Sequence, residues 1–96
     1  MKQLTAAERL EMVKQALGMA GNDYQNDTLS LYIEEVMDFM LSAGVQPAIV
    51  ESSVAVGCIA IGVDDLWNYS SGEVRLSEYF RQRVIQLSLK RVDDNV

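Results

Sequence analysis

The sequence predicts an all-α protein: a single small bundle of about four helices with a central apolar helix. Three observations predict it. Apolar residues recur at helical spacing in three separate segments. Capping signals stand at Thr5 and Ser77. The segment Val54–Val63 is apolar on every side and too long for a strand of about 5–6 residues. The chain of 96 residues amounts to one domain, 1–96, with no internal repeat and no low-complexity tract.

The first helix opens at Thr5-Ala6-Ala7-Glu8, a capping box in which threonine and glutamate satisfy two free backbone donors. Ala6, Leu10, Val13 and Leu17 form its stripe, and Glu8, Arg9, Glu11, Lys14 and Gln15 the polar face. Gly18 in the left-handed conformation, with Met19 folding back, ends it. After a polar connection rich in candidate N-caps, the second helix is expected over Asp27–Ala43, with Leu29, Ile33, Val36, Met40 and Ala43 inward and Gly44 as its stop. Tyr32, Met37, Phe39 and Leu41 widen its apolar surface. Pro47 suits a new helix start, and no turn signal interrupts the following stretch until Asn68. That stretch reads as the central helix, because a helix apolar all round must be covered all round. Part of the cover is expected from another subunit. Asn68–Gly72 reads as a mobile loop. Ser77 caps a last helix to about Lys90, with Phe80, Val84 and Leu87 inward and Ile85 and Leu89 beside them. The tail 92–96 is expected to fray.

Composition excludes several functions. The net charge of −6 argues against nucleic-acid binding by the whole surface, which needs a basic footprint. The absence of histidine removes the commonest metal ligand and general base. One cysteine allows neither an internal disulfide nor a cysteine zinc cluster. No uncharged stretch exceeds Ser52–Val63, short of the roughly 20 apolar residues a bilayer span needs. Met1-Lys2-Gln3-Leu4 leads into a polar amphipathic segment rather than a signal core. A cytoplasmic, reducing setting without membrane attachment is expected.

No catalytic, cofactor or metal site emerges, and no enzyme is expected. Glu34, Glu35 and Asp38 share a helix face and Asp64-Asp65 are adjacent, yet no calcium-loop spacing is present and a solvated face accounts for them. Cys58 among apolar neighbours lacks the base and positive setting of a nucleophile and reads as a buried structural thiol. The glycines form no phosphate loop. Gly57 and Gly62 cost roughly 1 kcal/mol each inside a helix relative to alanine; they mark either close approach of another helix, in this chain or a second one, or tolerance of small residues in a tight core. Trp67 and Tyr69 read equally as core or as interface anchors. Charge is unevenly distributed. Residues 1–70 carry three basic and ten acidic side chains, whereas 74–91 carry Arg75, Arg81, Arg83, Lys90 and Arg91 against Glu78 alone. Such a segment is a solvated basic face, a protein-docking face or, least of all, a nucleic-acid contact.

The order of elements, "LTAAERLEMVKQALGM", "LSLYIEEVMDFMLSAGV" and "VAVGCIAIGVDDLWNYSSGEVRLSEYFRQRVIQLSLK", resembles the small head–tail connector (adaptor) proteins of tailed bacteriophages and prophages. The resemblance spans residues 4 to 91. Its most suggestive stretch is Gly62–Tyr69, followed by a serine-glycine loop and Ser77-Glu78-Tyr79-Phe80. It implies an α-helical structural virion protein without catalysis or cofactor. Such proteins form a ring, dodecameric by the resemblance, between the portal protein and a further connector or tail-completion protein. The ring extends the channel through which DNA passes without specific binding. The implied location is the head–tail joint of the virion, after assembly in the host bacterial cytoplasm. An acidic surface suits such a channel, since like charge disfavours phosphate binding. The alternative is an acidic helical interaction module unrelated to virions, of antitoxin or chaperone-like type; the long disordered tails typical of antitoxins are absent.

Overall fold

The computed structural model describes residues 2–68 and 77–91. Among them the chain is all-α: α1 Ala6–Ala16, α2 Asn26–Ser42, the single turn α3 Pro47–Val50, a 3-10 turn Ser53–Ala55, α4 Val56–Trp67 and α5 Glu78–Ser88. The expectations for the loop after Asn68, the tail 92–96, Tyr69 and Arg75 fall outside the described residues.

The local signals at the helix ends act as their chemistry dictates. Thr5 Oγ1 accepts from the Glu8 N–H at 3.1 Å, and Glu8 Oε1 accepts from the Thr5 N–H at 2.9 Å. The α1 C-terminus is a Schellman turn. Gly18 takes φ 73°, its N–H donates to Gln15 O, and the Met19 N–H donates to Lys14 O. The α2 C-terminus repeats this with Gly44 at φ 97°, Leu41 O and Met40 O accepting from Gly44 and Val45. Ser77 Oγ accepts from the Phe80 N–H, and the Ser77 N–H donates to Asp65 Oδ2 at 2.9 Å, which fastens the start of α5 to the end of α4. The start of α2 differs from expectation. Its N-cap is Gln25, which provides no side-chain cap.

Helix α4 is the centre, packed by α1, α2 and α5. Val56, Cys58, Ile59, Ala60, Gly62 and Val63 are buried. Its cover comes mostly from this chain, apart from an open stripe at Gly57 and Asp64 with Ile61 half-covered. The helix is shorter than Ala48–Asn68. After Val50 the chain turns, and the N-terminal segment pairs there. Gln3 and Ser52 form an antiparallel bridge and the Leu4 N–H donates to Glu51 O at 2.9 Å. Ser52, fully buried, donates from Oγ to Ile49 O and accepts from the Val54 N–H. Serine competes locally for backbone groups in this way, and the helix breaks.

The stripe of α1 is also rotated from the expected one. Ala6 is exposed and Leu10 and Leu17 are only partly buried, whereas Arg9 and Lys14, expected on the polar face, are buried with Val13. Arg9 Nη2 donates to Leu4 O and Glu51 O, clamping the N-terminal segment to the turn after α3. Lys14, 0% exposed, pairs with Asp23 Oδ1 at 2.8 Å and Glu11 Oε1 at 3.7 Å. Both use aliphatic stems as core material. On α2, Leu29, Ile33, Val36 and Met40 are buried as expected, while Ala43 is exposed.

The Lys14–Asp23 hydrogen bond raises the lysine above its ordinary 10.5 and lowers Asp23 below its ordinary 3.8. A lowered carboxyl stabilises the fold above its unfolded value and loses that contribution as pH falls through the folded one; a raised amine stabilises below its unfolded value and loses it as pH rises through the folded one. Asp23→Asn is therefore expected to lower the melting temperature at neutral pH and to flatten its fall below about pH 4. The part due to Glu8, also lowered by its capping bonds, remains. An acid limb identical to wild type would show the pair to be idle.

Gly62 sets the closest packing. A Cβ there would lie 2.6 Å from Phe80 Cε1 and 2.9 Å from both Val36 methyls. At Gly57 it would meet nothing within 4 Å. Gly62→Ala is expected to destabilise by about 1–2 kcal/mol, overpacking outweighing the helix-propensity gain. Gly57→Ala is expected to stabilise by up to about 1 kcal/mol. Urea unfolding of the two variants checks the opposite signs.

Candidate interaction surfaces

The described residues contain no group of three potential metal ligands and no helix long and apolar enough to cross a membrane. Asp64 and Asp65 both serve structure. Asp64 Oδ1 and O accept from the Asn68 side chain, and Asp65 holds Ser77. Glu34, Glu35 and Asp38 are exposed.

The sites the sequence singled out are dispersed. Trp67 lies at the α4 end, 36% exposed, its ring edge-to-face with Tyr32 at 5.9 Å and 84°. It is both packed and accessible. Gly62 receives Phe80 and Val36 from within the chain, whereas Gly57 opens onto a shallow groove with Ala16, Leu17, Ala60, Ile61 and Asp64.

On α5, Phe80, Val84 and Leu87 face the core. Ile85 and Leu89, expected beside that stripe, are instead 59% and 73% exposed. Arg81, Lys90 and Arg91 are exposed, and Arg83 is half-buried and donates to Gln86 Oε1. Arg91 donates to Ser88 O and Lys90 O, carbonyls at the α5 C-terminal end, where a cation is favoured. None of these four forms an ion pair with a described residue. The outer face of α5 is thus an exposed apolar pair between unpaired basic side chains.

A second surface escaped the sequence reading. Glu34, Met37, Asp38 and Leu41 of α2 line a groove with Glu51, which caps α3. Its three carboxylates have no ion-pair partner among the described residues, and no basic residue lines it. In the adjoining depression Arg9 is buried, with its Nε unpartnered, but its Nη2 is already bound to two carbonyls. The only trace of this groove in the sequence is the run of carboxylates on α2; Glu51 joins them through the break after α3.

Cys58 is 1% exposed, and burial pushes its thiol up to about 11 against the opposing positive charge of Arg83. No known protein family, curated protein or solved structure matches the chain. An inert Cys58 is expected. Under native conditions a chromogenic disulfide reagent should react only as fast as the fold opens, and full reaction should require denaturant. Fast stoichiometric labelling of the folded protein would contradict this.

Proposed function

We propose that this protein is a ring-forming head–tail connector, a non-enzymatic structural virion protein that joins the portal to the tail and extends the DNA channel. The observation that carries the reading is the pair of oppositely charged, partly apolar faces whose charges have no ion partner among the described residues. A chain with two such faces is suited to joining proteins, because complementary charged surfaces steer and register partners. The likeness of residues 4–91 to connector proteins supplies the biological setting. In that setting the partners are the portal protein on one side and a further connector or tail-completion protein on the other. The ring holds twelve copies, and assembly takes place in the bacterial cytoplasm before the virion is complete. The acidic balance of residues 1–70 supports a channel role, because a negative wall lets DNA slide without adhering.

The test is to mix the purified chain with the portal protein of the same phage and follow mass by light scattering across concentration. A stable complex with many copies per portal is expected, along with monomers or small oligomers of the chain alone when dilute. A chain that never binds portal yet binds other proteins through these faces would belong to the adaptor class unrelated to virions.

A further inference from the structure

We infer that the acidic groove of one copy receives the outer face of α5 of a second copy, so that the protein associates head to tail through these two surfaces. The inference rests on the self-assembly part of the reading above, but not on the portal.

Three observations lead to it. The groove offers Met37 and Leu41 rimmed by Glu34, Asp38 and Glu51. The α5 face offers Ile85 and Leu89 flanked by Arg81, one turn before Ile85, and by Lys90 and Arg91 directly after Leu89. Both consist of partly or fully exposed apolar side chains edged by charges that lack ion partners among the described residues, and the signs are opposite. Arginine matches carboxylates with two parallel donors, which adds register to attraction.

Geometry keeps the groove and the α5 face of one chain from meeting each other. Helix α5 lies against one flank of α2, where Phe80 and Phe39 are 5.6 Å apart between ring centres and Phe80 closes over Gly62 beside Val36. On a helix with 100° per residue, Glu34, Met37, Asp38 and Leu41 occupy the other flank, with the buried row Leu29–Ile33–Val36–Met40 between them. The α2 helix therefore holds the two faces apart. A contact between unlike faces on two copies is heterologous. It propagates until a rotation closes it, and closure gives a ring. The one carboxylate on α5, Glu78, sits in its first turn, away from the Leu89 end.

The experiment uses the full chain in sedimentation velocity over a concentration series at low and high salt. Two variants each disable one face: Arg81→Glu with Lys90→Glu, and Glu34→Lys with Asp38→Lys. All four positions are exposed, so circular dichroism and melting should stay close to wild type. Wild type is expected to associate, less so at high salt. Each variant alone should associate at least about tenfold more weakly. Mixing the two variants should restore association, because each supplies the face that the other lacks. Combining all four substitutions in one chain should restore it too, since the charges are then exchanged. A monomeric wild type, single-face variants that associate like wild type, or a mixture that does not recover would each overturn the interface. Portal capture on the same samples separates this inference from the connector reading. Capture without self-association overturns the interface alone. Self-association through these faces without capture upholds the interface and overturns the connector.

Discussion

Keeping α4 from water is the constraint that places every other element. Its buried residues, Val56, Cys58, Ile59, Ala60 and Val63, include aliphatic side chains whose burial is worth about 1.5–3 kcal/mol each. A helix this apolar cannot sit at a surface, so α1, α2 and α5 are its lids. The approach of two of those lids is set by a side chain that does not exist. Phe80 of α5 and Val36 of α2 meet over the bare backbone of Gly62. Phe39 then backs Phe80 from outside. Where α5 lies, and hence which of its residues face solvent, follows from that one gap. The Asp65 bond to Ser77 fixes the near end of the same helix.

Much of this was legible in the sequence because it depends on neighbours in the chain. The capping box at Thr5–Glu8, the Gly18 and Gly44 stops and the Ser77 cap are governed by groups three to five residues apart, and local spacing reveals them. The inward rows of α2 and α5 are likewise simple helical periodicities. The special standing of Gly62 could be suspected, since a glycine inside an apolar helix needs a reason, but only the fold distinguishes it from Gly57.

What the sequence hid depends on residues far apart. The break between α3 and α4 needs Gln3 and Leu4 to reach Glu51 and Ser52, a pairing across more than forty positions. Arg9 and Lys14 looked like solvated charges because charge is the feature that periodicity weighs. Their burial is made tolerable by particular acceptors, two main-chain carbonyls for Arg9 and Asp23 for Lys14. A buried charge without such partners would be severely unfavourable. The acidic groove was hidden for the same reason, since Glu51 joins Glu34 and Asp38 only through the turn that the pairing creates.

The surface charges pose a different question, because the fold does not require them. Exposed ion pairs contribute about 0–1 kcal/mol, and the outer charges of α5 form none within the described chain. Glu34 and Asp38 of α2 share a groove with Glu51 on one side of that helix, and the basic groups of α5 lie beyond its other flank. Within one chain the buried row of α2 stands between the two sets. A second molecule could bring them together without unfolding the first. Association through these faces would also redistribute charge in a useful way. Each contact would occupy the basic helix and leave the surplus of acidic groups elsewhere on the assembly. The exposed remainder would be more uniformly negative than a lone chain, and a closed ring built so would present to a passing duplex a surface with little positive charge to hold its phosphates.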